Sequence, residues 1–413
     1  MHLELVTIGT ELLLGFTIDT NAAWLGRTLA ERGIRVARRT TVADDPAAIR
    51  DAVQAALDRS GVAITTGGLG PTRDDITKGA VAALFGRRVV FNEEAWRELA
   101  ERYAQLGRPL SDTNRSQAGV PEGARVLPNP RGTAPGLWLE GDRGTVIMLP
   151  GVPREMRGLI RDAVLPRLLA AGRPETTVIR SRTLRTSGIP ESLLAEQLGD
   201  VDSRVAPVTL AYLPDLPGVD LRLTAWDLPP EEADRQLEAA SRVVRERAAE
   251  WFYGEGTTDL AGVVLDRLRS RGWRLAVAES CTGGLLCGRL TAIPGSSEVV
   301  LGGVVPYDNA VKVNQAGVPA EVLREHGAVS GPVALALAEG AARNFGARVS
   351  VGITGIAGPE GATPDKPVGT VWFGFRVDDS AWATRVGFPG SREEIRARAA
   401  QYALFALWRA LPG

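Results

Sequence analysis

Short apolar runs alternate with amphipathic stretches along most of this chain. Leu3 to Ile8 reads as a strand and leads into GTELLLGFTIDTNAAWLGRTLAERG, whose second half carries Trp24, Leu25 and Leu29 at helical spacing before a glycine stop at Gly33. Positions 35–42 alternate like a strand. An amphipathic helix from about Pro46 to Arg59, a strand over Val62 to Thr66, the loop GGLGPTRDD and a helix through Ile76 to Phe85 follow in turn. A strand over Thr145 to Leu149 and a helix after PGVPREM close this first region near Gly172. From Thr176 to Tyr253 the pattern changes: VIRSRTLRT and DLRLTAW are strand-like, PESLLAEQL is helical, and PPEEADRQLEAASRVVRERAAEWF is a charged helix. After Gly256 a helix from Leu260 to Arg271 leads to a strand over Arg274 to Ala278, and strand and helix alternate again to the end.

Strands that alternate with helices pack as a largely parallel sheet covered on both faces. The predicted fold class is therefore α/β, with two three-layer α/β domains over residues 1–172 and 255–413. A small α+β module over 173–254 joins them. At 413 residues the chain is long enough for two or three cores.

Composition narrows the function classes. The net charge of -1 gives no broad basic field, so nucleic acid is not the expected partner and small molecules are. No run of apolar residues is long enough for a membrane span and MHLELVTIGTE does not read as a leader, so a cytoplasmic location without membrane partners is expected. Two cysteines, Cys281 and Cys287, and two histidines, His2 and His326, exclude a disulfide framework and a histidine-based metal site. Of 48 basic residues only Lys78, Lys312 and Lys366 are lysine. Burial can bring a lysine close to neutrality, which arginine does not allow, so each lysine is a candidate for a role arginine cannot fill.

In the C-terminal region AESCTGG lies at the carboxyl end of a predicted strand, where α/β sheets bind ligands. It sets Ser280, Cys281 and Thr282 side by side before Gly283 and a helix whose free N–H groups are expected to stabilise an oxyanion or a phosphate. Downstream, PYDNAVK brings together Tyr307, Asn309 and Lys312. A serine with a lysine or tyrosine base is one answer where histidine is lacking. TGIAGPEG places Thr354 and Gly355 at another strand end. FPGSREEIRARA offers Ser391 as a helix cap and Arg392 in the first turn, where its charge suits an anion. His326 in REHGAVS reads as a helix-end residue, and the cysteines read equally as small buried groups.

In the N-terminal region Gly67, Gly68 and Gly70 follow a strand and open a helix, so backbone N–H groups can approach a phosphate. Asp74 and Asp75 come next. With Glu11, Asp19 and Asp45 at other strand-to-helix junctions they read either as a divalent-cation site or as helix caps.

Taken together, AESCTGG, VVPYDNAVK, HGAVS, GITGIAGP, KPVGTVW and FPGSR resemble the C-terminal domain of the CinA (competence/damage-inducible) family over nearly all of 260–411. That domain is similar to nicotinamide mononucleotide deamidases, serine amidohydrolases. The resemblance implies Ser280 as nucleophile, assisted by Tyr307 and Lys312, with no cofactor. Cys281, Thr282, Gly283, Asn309, Thr354 and Gly355 would line the substrate site, and Arg392 would contact its phosphate. Chemistry agrees on the nucleophile, since a cysteine usually relies on a neighbouring imidazole whereas a lysine kept neutral by burial suits a serine.

GTELLLG, DTNAAWL, TTGGLGPTRDDIT, NPRGTAPG and MLPGVPREM resemble the family's N-terminal domain, which is similar to the MoaB/MogA molybdopterin-binding fold. This implies hydrolysis of ADP-ribose to AMP and ribose 5-phosphate with a divalent metal (Mg, Mn or Co). The implied site is Glu11, Asp19, Asn21, Gly67, Gly68, Thr72, Asp74, Asp75, Thr77 and Lys78, with Asp19, Asp74 and Asp75 as metal ligands. The middle segment resembles the family's KH-type module without a clear GxxG loop, and a homodimer follows from the family's habit. Two further readings stand beside these: a pterin-binding protein, and an interaction scaffold in competence or DNA repair.

Overall fold

The computed structural model describes residues 1–105, 107, 109–171 and 177–411. The boundary expected at residues 172 and 173 lies outside the described residues. The chain divides into two compact units, Met1–Arg180 with Ala225–Gln236, and Ser181–Thr224 with Leu237–Gly413.

The first unit is built on a six-stranded sheet in the order Arg35–Val42, His2–Ile8, Val62–Thr66, Gly144–Leu149, Gly136–Gly141, Arg125–Leu127. Its first four strands run parallel. Alternate residues of the central strands feed two different cores. Leu3, Leu5, Ile64 and Ile147 pack with Leu25, Leu29 and Ile160, while Val6, Ile8, Ala63 and Val146 pack with Ile49, Val53 and Val81. A strand buried on both faces needs a helix layer on each, and this one has them. The helix Pro46–Ser60 shows how local sequence sets the ends: Asp45 accepts the N–H groups of Ala47 and Ala48, proline sits in the first turn, and Gly61 stops the helix in the left-handed region.

The second unit holds a five-stranded sheet in the order Val300–Val304, Leu275–Glu279, Val349–Gly355, Thr370–Val377, Ser380–Gly387. Leu275, Val277, Val351 and Ile353 face the helices Leu260–Ser270 and Arg392–Ala410, whereas Ala276 and Ala278 face the helix Gly331–Phe345. The middle segment forms a four-stranded sheet, Thr209–Asp215, Gly218–Leu228, Val178–Thr186 and Phe252–Glu255, accompanied by the helix Pro230–Arg247.

Both large sheets finish with antiparallel strands, which the simple strand-helix alternation did not anticipate. The cause is connection length. Only Asp378 and Asp379 separate Val377 from Ser380, and a parallel return needs a crossover of about a dozen residues or more. Among the described residues no helix is long and apolar enough to cross a membrane.

Candidate active site

Ser280 follows directly on the strand Leu275–Glu279 and is held there by its own N–H, which donates to the Ile353 carbonyl at 2.9 Å. The chain then turns sharply. Gly283 and Gly284 adopt φ of 62° and 91°, a region that a side chain disfavours, and the helix Leu285–Thr291 begins at once.

The free N–H groups expected at that helix are not free. The carboxylate of Glu279, itself only 1% exposed, accepts from the N–H of Leu286 at 3.0 Å and of Cys287 at 2.7 Å. The positive end of the helix thus stabilises a residue of the protein instead of a ligand. Glu279 was absent from the sequence-derived set. The available signal was an acidic residue just ahead of a helix start. Glu279→Ala is expected to lower unfolding stability by about 2 kcal/mol, since two charge-assisted bonds to buried N–H groups are lost. Denaturant unfolding checks this, and an unchanged midpoint would show that the cap contributes nothing.

The same turn sorts the three adjacent nucleophiles. Burial pushes the Cys281 thiol up to about 12, helped by the nearby Glu279 carboxylate, and the side chain packs in the main core of the unit. Cys287 is raised for the same first reason. A neutral, buried thiol is a poor nucleophile. Thr282 is fully buried; its hydroxyl has no partner among the described residues and its carbonyl accepts from Arg396 at 2.9 Å. Ser280 and Cys281 both border a cavity, and with the thiol held neutral the Ser280 hydroxyl is the reactive one by this sorting.

That cavity, of about 300 Å³, is lined by Ser280, Cys281, Tyr307, Asn309, Lys312, Thr354, Gly355 and Arg392, so eight of the ten residues expected of this site meet there. Thr282 and Gly283 shape the turn behind it. Lys312 lies on the short helix Asn309–Asn314, which Asp308 caps by accepting the N–H of Ala310 at 2.7 Å. Its side chain is 3% exposed, and burial holds the ammonium below the ordinary lysine pKa against the opposing pull of Asp308 and Cys281. Lys312 Nζ donates to the main-chain carbonyl of Tyr307 at 2.9 Å. Among the described residues no hydrogen bond joins the Ser280 hydroxyl to Lys312 or Tyr307.

Two expected ligand contacts, Thr354 and Arg392, are engaged internally. The Thr354 hydroxyl donates to the Ala328 carbonyl at 2.7 Å and so holds the HGAVS loop. Arg392 opens the helix that Ser391 caps; its Nη1 donates to the Gly358 carbonyl at 2.6 Å and its Nη2 to the Tyr307 hydroxyl at 2.7 Å. Tyr307 is thereby tied to Arg392 and not to the nucleophile. His326 ends the helix Ala320–His326, as its sequence context suggested, and its carbonyl accepts from Lys366 Nζ at 3.5 Å. A larger hollow of about 430 Å³ in the same unit is bordered by Leu216, Leu285, Asp259 and Arg289, but the last two pair with each other at 3.3 Å and no serine, threonine, cysteine or lysine is among its lining residues.

In the first unit the motif loops follow the carboxyl ends of parallel strands. Gly67 and Gly68 have φ of 105° and 67°; the Gly67 N–H donates to the Leu149 carbonyl, and its own carbonyl accepts from the Thr77 hydroxyl. Asn21 donates to the Gly151 carbonyl at 2.6 Å, while its buried Oδ1 has no partner among the described residues. The carboxylates are engaged one by one. Asp19 caps the helix Thr20–Ala30 by accepting from Ala22, Asp45 caps the next helix, and Asp75 closes its own loop by accepting from the N–H groups of Gly70 and Thr72 and from the Thr72 hydroxyl. Asp74 and Glu11 are exposed. Among the described residues no group of three or more histidine, cysteine, aspartate or glutamate side chains gathers as a metal site, so Asp19, Asp74 and Asp75 do not form one here. Lys78, read as a phosphate contact, is buried and donates to the carbonyls of Ser116 and Gln117; burial brings its pKa down to about 8.

Comparison with known proteins finds three domain matches along the chain. Residues 257–411 match the CinA C-terminal domain, 4–170 a probable molybdopterin binding domain, and 181–254 the KH domain of damage-inducible protein CinA. A CinA-like protein of Gemmatimonas aurantiaca is 54% identical over 412 residues, covering 99% of this chain and 96% of that one. A putative competence-damage inducible protein of Symbiobacterium thermophilum is 43% identical, with 100% and 99% covered. Among solved structures, a Thermoplasma acidophilum protein described as CinA with unknown function is 36% identical over 40% of this chain and 98% of its own, with a TM-score of 0.38.

Proposed function

This chain belongs to the CinA family, and from there we propose that its C-terminal cavity hydrolyses the carboxamide of nicotinamide mononucleotide to nicotinate mononucleotide and ammonia. The observation that carries the reading is one small cavity bordered by an unpartnered serine hydroxyl, a buried lysine and an arginine that no carboxylate neutralises among the described residues. Ser280 Oγ attacks the carboxamide carbon as its proton passes to the neutral Lys312 amine. Collapse of the adduct breaks the C–N bond, and that proton leaves with ammonia. Water, deprotonated by Lys312, then cleaves the acyl ester; the carboxylate leaves and the serine hydroxyl is restored. Arg392 supplies a guanidinium for the substrate phosphate.

The purified chain should release ammonia and nicotinate mononucleotide from nicotinamide mononucleotide in equal amounts. Release of free nicotinamide instead, or no product at all, would overturn the reading.

For the N-terminal unit the reading is nucleotide hydrolysis, with ADP-ribose as substrate and AMP and ribose 5-phosphate as products. Its support is the glycine turn at Gly67 and Gly68 beside loops that end parallel strands. A resident divalent cation does not fit the carboxylates of the described residues as they stand. Pterin binding is favoured by the domain match at 4–170, and would use the same loops while leaving the Ser280 cavity unexplained.

A further inference from the structure

Arg392 and Tyr307 hold each other across the mouth of the Ser280 cavity. Tyr307 is 60% exposed and has one side-chain hydrogen bond among the described residues, from Arg392 Nη2 to its hydroxyl at 2.7 Å. Its main chain does something different: its carbonyl accepts from Lys312 Nζ at 2.9 Å. One residue therefore joins the cationic rim of the cavity to the buried lysine beside the serine. The other end of Arg392 is fixed, since Nη1 donates to the Gly358 carbonyl and Ser391 caps its helix. Arg392 Nη2 can change partner without the arginine leaving its place.

A phenol hydroxyl is a neutral acceptor, and a phosphate oxygen is a charged one. A hydrogen bond from a guanidinium to an anion adds the attraction of opposite charges that a neutral oxygen lacks, and a phosphate offers a bidentate fit that a hydroxyl does not. We propose that Arg392 and Tyr307 form a phosphate-exchanged latch, in which a phosphate monoester on the ligand takes Arg392 Nη2 from the Tyr307 hydroxyl and releases that side chain toward Ser280 and Lys312. Tyr307 is then a specificity determinant: it raises the threshold for ligands that lack a phosphate and turns binding of the phosphate into a change beside the nucleophile. The exchange itself does not depend on the amidase reading; only its consequence for turnover does.

The two are tested separately. In the first experiment inorganic phosphate is titrated into the purified full chain by calorimetry, for the wild type, Tyr307→Phe and Arg392→Gln. Removing the competing hydroxyl should tighten phosphate binding about two- to tenfold, the range one exposed hydrogen bond allows, and Arg392→Gln should abolish it. Equal or weaker binding by Tyr307→Phe overturns the latch, because the hydroxyl would then be a bystander or a phosphate ligand. Tyr307 is exposed, and loss of its hydroxyl leaves its ring and its carbonyl bond to Lys312 in place, so this variant keeps the test open if Arg392→Gln fails to fold.

In the second experiment ammonia release is followed with nicotinamide riboside in the presence and absence of inorganic phosphate. A latch predicts that free phosphate speeds turnover of the riboside, and that the effect on kcat disappears in Tyr307→Phe. A riboside turned over as fast as the mononucleotide without phosphate overturns the selection. If neither substrate is turned over, the amidase reading fails and the titration alone decides the latch.

Discussion

Ser280→Ala is expected to reduce ammonia release from nicotinamide mononucleotide by about 10³-fold or more, the scale on which removing a covalent nucleophile acts. The fold should survive, because the hydroxyl has no hydrogen-bond partner to lose among the described residues and alanine fills the rest of the site. The informative control is Cys281→Ser. With its thiol pushed up to about 12 by burial, Cys281 has almost no thiolate at neutral pH, so this variant should keep the chemistry while losing some packing. Retention of even a tenth of the activity by Ser280→Ala, with its loss in Cys281→Ser, would reverse the assignment of the nucleophile.

Lys312→Arg is the second large effect, a loss of about 10² to 10⁴-fold in kcat. The substitution keeps a positive charge and a long stem, yet a guanidinium stays protonated and cannot accept the Ser280 proton. The sign of the pH dependence follows from the same argument. Neutral amine is the active form, so kcat/KM rises with pH, and burial places this limb below the ordinary lysine value of 10.5. The limb should be missing from the variant. An arginine variant with the wild-type profile would remove the neutral-base role, whatever happened to the absolute rate. Lys312→Met, which preserves the burial of the stem without a charge, separates this outcome from a failure to fold.

How far the sequence revealed these features depends on the range over which each residue acts. The strand Val62–Thr66 and the strand Val178–Thr186 were legible to the residue, because alternation and flanking punctuation are local. The gathering of Ser280, Lys312 and Arg392 was legible through motifs at strand ends, which topology brings together. Glu279 was not, since its side chain reaches forward seven and eight residues to a helix whose start is fixed by two left-handed glycines. Tyr307 and Arg392 meet across 85 residues, and only coordinates reveal that the phenol faces the guanidinium. Lys78 is the counter-example. Its place at the end of TTGGLGPTRDDITK suggested a phosphate, whereas the fold brings the Ser116 carbonyl to it from 38 residues away. Of Asp19, Asp74 and Asp75, read as metal ligands, Asp75 is engaged for a local reason, a turn that it closes on itself.

The buried Glu279 carboxylate bears on what happens after chemistry. In the proposed reaction the reacting group enters as a neutral carboxamide and leaves as an anion. The carboxylate at the helix start is close enough to help raise the Cys281 thiol, and the lysine that protonates during turnover is held below its ordinary pKa. A newly formed negative charge at Ser280 therefore meets a fixed negative charge and a reluctant cation, while Arg392 at the rim still attracts the phosphate. The interior of the cavity rejects the product and its mouth retains it, which would send the product out with the acid leaving first and the phosphate last.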